Sequence, residues 1–195
     1  MSPKTLSKIT MSLKAVLREL ARLGLKDRNI RCQYAEYLVA KKLTDAKHDV
    51  QILNQRDDKS ADIFLTKTGE RVEVKSSCFD DDRWAFASFT DGNQIKRDKF
   101  DYCVWLIFDE KNSESPKKTF IFERKELQEV TKARRRFASH KTNSCLLTYG
   151  RKLKSYDDWM KKHSFERLKI ERELLKNPSK FTGTKAWDKI RRMAT

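Results

Sequence analysis

An α/β fold with a central mixed β-sheet flanked by helices is what this 195-residue sequence predicts, and three features carry that expectation. Arg71–Ser76 alternates polar and apolar residues, as a half-buried strand does. Asp101–Phe108 (DYCVWLIF) is a nearly continuous apolar run, as in a strand buried on both faces, and is expected at the centre of the sheet. Helical spacing precedes the strands and returns after them, so helices should flank the sheet.

The elements follow in chain order. Met1–Thr10 is polar and expected to be mobile. Ser12 suits the N-cap of a first helix, where Leu13, Val16, Leu17, Leu20 and Leu23 follow helical spacing and Gly24 can close it. Its apolar stripe suits packing on the core; a dimer contact or an arm along DNA are the alternatives. A second helix is expected over Asn29–Leu43, with Ile30, Tyr34, Tyr37, Leu38 and Leu43 on its buried side and Glu36 among them. Asp49–Asn54 reads as the first strand and Gln55–Lys59 as a polar loop. The hairpin Ser60–Ser77 follows, then a loop with three consecutive aspartates, Asp80–Asp82, which ordinarily forms a solvated charge run. Trp84–Phe89, Lys118–Phe122 and Ser144–Tyr149 read as further strands, and Glu123–Ala133 as a helix followed by Arg134, Arg135 and Arg136. Tyr156–Lys176 is helical in spacing, Asn177-Pro178 breaks it, and Phe181–Ala194 continues as a last helix. The organisation expected is a basic helical arm (1–28), a core (29–150) and a basic helical extension (151–195).

Charge separates these parts. Residues 1–31 carry eight basic and two acidic residues, a net +6. Residues 32–150 carry 22 and 20, a net +2, and residues 151–195 carry 14 and six, a net +8. A nearly neutral core between two basic flanks suits a polyanionic partner. Nucleic acid is favoured over an acidic membrane surface, because the flanks lack the Trp- and Leu-rich face of an interfacial helix. No apolar stretch approaches the roughly 18 residues of a membrane span. The four cysteines have no CxxC spacing and the three histidines complete no zinc pattern. Free thiols in a reducing cytoplasm are the expectation.

The hairpin SADIFLTKTGERVEVKSS concentrates the chemistry. Strand side chains alternate faces, so Glu73 and Lys75 share one face and Val72 and Val74 the other. A two-residue loop at Thr68-Gly69 sets Asp62 opposite Lys75. A four-residue loop, Thr66–Gly69, sets it opposite Glu73. Either keeps Asp62 on the Glu73–Lys75 face, whereas a three-residue loop turns it away. Two carboxylates this close repel, and one tends to stay protonated. A divalent cation relieves that. Mg²⁺ takes one or two carboxylates, keeps several waters and accepts substrate phosphates. Lys75 can then position or deprotonate a metal-bound water, or stabilise charge on a phosphate. The ordinary alternative is a solvated hairpin with an ion pair.

Asp62, ten intervening residues, and Glu73-Val74-Lys75 resemble the D…(D/E)-x-K signature of the restriction-endonuclease-like, or PD-(D/E)XK, nuclease superfamily. The resemblance covers roughly Asn29–Phe108 and departs at Ala61, where that family often has proline. It implies a restriction-endonuclease-like core and a Mg²⁺-dependent endonuclease acting on DNA, of restriction, junction-resolving or repair type. Mn²⁺ is a possible substitute. Asp62 and Glu73 would hold the metal with the Val74 carbonyl, Glu36 would act directly or through water, and Lys75 would orient or activate the attacking water. Gln94, Lys96 and the three arginines Arg134, Arg135 and Arg136 are candidate nucleic-acid contacts. Double-strand cleavage makes a C2 homodimer the economical assembly, with Leu13, Val16, Leu17 and Leu20 of the first helix and the C-terminal helices as its candidate interface. The competing reading is a nuclease-like module that binds nucleic acid without cutting it.

Overall fold

A computed structural model describes residues 2–23, 27–53, 61–79, 85–90, 95, 99–109, 114–132, 134–135, 144–150 and 168–191. Helix α1 spans Pro3–Arg22 and helix α2 Arg28–Asp45. Strands β1 (Val50–Ile52), β2 (Ile63–Leu65) and β3 (Glu70–Cys78) follow, then β4 (Ala85–Thr90), β5 (Tyr102–Phe108) and β6 (Pro116–Glu123). A 3₁₀ helix, Arg124–Lys132, leads to β7 (Arg134–Arg135) and β8 (Ser144–Tyr149). Helices α3 (Lys169–Lys176) and α4 (Gly183–Arg191) follow, separated by a short 3₁₀ turn at Pro178–Lys180.

The five-stranded main sheet has the order β1-β2-β3-β5-β6. β3 and β5 are parallel and the other pairs antiparallel, so the sheet is mixed. β5 is buried at every position, as its apolar run predicts, yet β3 occupies the middle of the sheet rather than β5. β4 does not join this sheet. It pairs with β8 in a second, antiparallel sheet of order β4-β8-β7.

Side-chain alternation gives the main sheet two cores. On one face Val72, Val74, Val104, Leu106 and Ile121 pack with Tyr34, Val39 and Leu43 of α2, Leu6 and Leu17 of α1, and Ile190 of α4. On the other, Cys103, Trp105, Phe120 and Phe122 meet Ala87 and Phe89 of β4, Leu147 of β8, and Leu174 of α3. The C-terminal helices are thus built into both cores.

Two local expectations change. The first helix starts ten residues before Ser12: Ser2 is the N-cap, its hydroxyl accepting from Thr5 N at 3.2 Å, and Pro3 sits in the first turn, where its missing N–H costs nothing. Ser12 instead lies inside the helix and bonds back to the Lys8 carbonyl. The helix expected at Glu123–Ala133 is present over Arg124–Lys132, but as the tighter 3₁₀ form. The apolar stripe of α1 packs on the core, as its spacing suits, rather than serving chiefly as a dimer face: Leu17 is buried and Leu13 packs on the α2 core, while Met11, Val16 and Leu23 are exposed. Gly24 and the greater part of Tyr156–Lys176, ahead of α3, lie outside the described residues. Among the described residues, no helix is long and apolar enough to cross a membrane.

Candidate active site

β3 carries the site because its neighbour on one side stops short. β2 pairs only with Glu70–Val72, while β3 runs on to Cys78 against β5. The hairpin uses the four-residue loop: Leu65 faces Glu70 and Ile63 faces Val72, which sets Asp62 at the level of Glu73. Gly69 closes that loop at φ +77, a left-handed conformation that suits glycine, with its N–H on the Leu65 carbonyl at 2.8 Å. Asp62 lies where the two strands part. Its backbone N–H still reaches Val72 O at 3.2 Å, and its carbonyl accepts from Leu53 N at 2.9 Å. Its carboxylate accepts from Val74 N at 2.7 Å, taking an N–H on the side of β3 that β2 leaves open.

Glu73 and Lys75 project together toward the second sheet, as their two-residue spacing requires. Glu73 is buried, and its carboxylate accepts from the Lys75 ammonium. The next residue on that face, Ser77, accepts from Trp105 Nε1 at 2.8 Å and forms part of the floor. The opposite face of β3 meets α2 through Cys32 and Ser76, 3.2 Å apart. Glu36 lies one turn beyond Cys32, within electrostatic reach of Glu73, Lys75 and Asp62. Helix α2 is fixed by its Asp27 N-cap, which accepts from Asn29 N at 2.8 Å and Ile30 N at 3.0 Å, and by buried Tyr34, Ala35 and Val39.

The charges in this cluster are unbalanced. Burial, then Glu73 and Glu36, push the Asp62 carboxyl up to about 8. Burial and Glu73 push Glu36 up to about 7. Burial pulls Lys75 down, but Glu73 beside it prevails and the ammonium holds its proton more tightly than usual. Among the described residues three carboxyl groups share one ammonium, so near neutral pH Asp62 and Glu36 are partly protonated when no other cation is present. A divalent cation would remove that frustration, and the oxygen donors present are of the kind hard cations accept. Among the described residues no group of three or more His, Cys, Asp or Glu side chains is placed to hold a metal ion. Mg²⁺ takes as few as one or two carboxylates, with waters and phosphates completing its shell.

Asp62, Glu73, Lys75, Val74 and Glu36 are therefore brought together. Arg134 and Arg135 form β7, at the edge of the second sheet. Gln94, Lys96 and Arg136 lie outside the described residues, as do Asp80–Asp82. Sequence reasoning missed Phe89: the Lys75 ammonium lies over its ring, 5.4 Å from the centroid. The only available signal was an aromatic in an apolar strand, and that says nothing about which sheet the strand joins.

No protein-family model matches the chain, and no curated protein matches it at a significant level.

Proposed function

We propose that the chain is a Mg²⁺-dependent endonuclease that hydrolyses phosphodiester bonds in DNA, built on a restriction-endonuclease-like core. The observation that carries this reading is the carboxylate-rich cluster at the open edge of β3, where, among the described residues, Asp62, Glu73 and Glu36 share the ammonium of Lys75. Asp62, Glu73 and the Val74 carbonyl would hold the metal, Glu36 would support it directly or through water, and Mn²⁺ would substitute. Bound there, the ion would supply Lewis-acid polarisation of a phosphate and a more acidic water. Lys75, whose ammonium donates to Glu73, would orient or activate the attacking water and stabilise negative charge developing on the phosphate. Two basic flanks around a nearly neutral core support a polyanionic substrate. Cleavage of both strands would call on a second copy of the chain, assembled through surfaces other than the buried part of α1.

The test is cleavage of supercoiled DNA with Mg²⁺, with Mn²⁺ and with EDTA, beside DNA binding measured in Ca²⁺. Mg²⁺-dependent nicking or linearisation by the native chain, lost in Glu73→Ala, is the expected result. Binding without cleavage under every metal condition would favour the non-cutting module. Absence of both would end the reading.

A further inference from the structure

We propose that Phe89 is a positioning residue: its ring holds the Lys75 ammonium in place above Glu73, so that the second sheet contributes to a site whose charged groups, among the described residues, come from elsewhere. The proposal rests on the nuclease reading of that site and goes further, because Phe89 lies outside the resembling motif and on a strand of a different sheet.

Lys75 reaches two partners of opposite kind. The Glu73 carboxylate accepts from its ammonium, and the Phe89 ring faces it at 5.4 Å to the centroid. That distance lies within the roughly 6 Å over which a ring face attracts a cation, and the attraction is strongest where water is excluded. Phe89 is completely buried and the Lys75 side chain is 21% exposed, so the contact is largely shielded. Phe89 is itself held firmly: it sits opposite Cys145 in the β4–β8 pairing and stacks on Phe100 at 6.4 Å and 28°. A lysine side chain left alone spreads over many rotamers, and confining it carries an entropic cost. The ring offsets that cost without supplying a charge.

The two partners respond differently when the site is loaded. A carboxylate that also binds a divalent cation has less negative charge to offer an ammonium. A ring face is unaffected by that competition. Phe89 is thus the partner that persists while Glu73 is engaged, and it keeps Lys75 beside the reacting phosphate rather than extended into solvent. Phe89 touches neither substrate nor metal in this scheme; it acts through Lys75.

Truncation alone would not separate positioning from packing, because Phe89 is a core residue and Phe89→Ala leaves a cavity. The informative series places mono-, di- and trifluorinated phenylalanine at position 89. Each fluorine weakens the negative face of the ring while nearly preserving its volume. Phe89→Leu accompanies the series as a ringless variant of similar size. Two readouts are taken. The first is the order of the Lys75 terminal methylene by NMR in the metal-free protein, which requires no activity. The second is kcat and KM for DNA cleavage. Order at Lys75 is expected to fall step by step with fluorination, and kcat to drop about tenfold by the trifluorinated ring with KM within about twofold. Unchanged Lys75 order along the series, with melting temperature also unchanged, overturns the proposal. So does a kcat loss seen only in Phe89→Leu and tracking its loss of stability. If the native chain cuts nothing, the nuclease reading fails, and the NMR series still decides whether the ring holds Lys75.

Discussion

Asp62→Asn is expected to stabilise the metal-free protein while removing its metal response. Asparagine nearly matches aspartate in shape, and its carbonyl oxygen can keep the bond from Val74 N. What it removes is the charge. Folding raises the Asp62 carboxyl from 3.8 to about 8, so the folded chain binds that proton more tightly than the unfolded one. Such a group contributes stability that is fully present below the ordinary value and is lost as pH rises through the folded one. The window for Asp62 therefore runs from 3.8 to about 8, and for Glu36 from 4.5 to about 7. At ~1.4 kcal/mol per pH unit the full Asp62 displacement corresponds to ~5–6 kcal/mol. Part of that repulsion is relieved when Glu36 takes up a proton instead, so a net gain of ~2–3 kcal/mol at high pH is the working figure. In a chain of this size that raises the melting temperature by roughly 5–10 °C. The assay is thermal melting from acid to about pH 9, in EDTA and in Ca²⁺. The native chain should lose stability as pH rises in EDTA and regain it in Ca²⁺. Asp62→Asn should show a flatter profile, a higher melting point at alkaline pH and little response to Ca²⁺. A variant less stable than the native chain at alkaline pH in EDTA, yet still stabilised by Ca²⁺, would refute the charge-frustration account.

Three further outcomes are expected. Glu73→Gln and Lys75→Met should each abolish cleavage yet leave DNA binding in Ca²⁺ largely intact, as gel-shift and plasmid assays run side by side will show. Glu171→Ala should destabilise the chain by about 3 kcal/mol or more in urea unfolding, because this fully buried carboxyl accepts from Thr148 N at 3.0 Å, Thr148 Oγ1 at 2.8 Å and Leu168 N at 3.0 Å. Deleting residues 168–191 should unfold the protein rather than merely weaken DNA binding, since it strips Leu174, Phe181 and Ile190 from the two cores; circular dichroism of the truncated chain settles this, and a native-like melt would contradict it.

The residues themselves determined the local period. The alternation of Arg71–Ser76 places Glu73 and Lys75 on one face whatever the strand pairs with, because a strand repeats every two residues. The continuous apolar run of β5 announced burial on both sides, and it is buried at every position. The short-range set of candidate groups, Asp62, Glu73 and Lys75, was legible for the same reason. Pairing was not. Both even-numbered hairpin loops leave Asp62 on the same face, and only the folded sheet chose the four-residue turn that levels Asp62 with Glu73. Nothing local told β4 to leave the main sheet for β8, since a short apolar strand looks alike in either. That choice brought Phe89 to Lys75. The start of α1 was readable from Ser2-Pro3 but was hidden by the stronger apolar spacing after Ser12. The basic tail looked like an appendage because charge dominates its composition. Its few apolar residues are spaced to reach two cores made by strands far away in the chain, and only long-range packing reveals where such residues go.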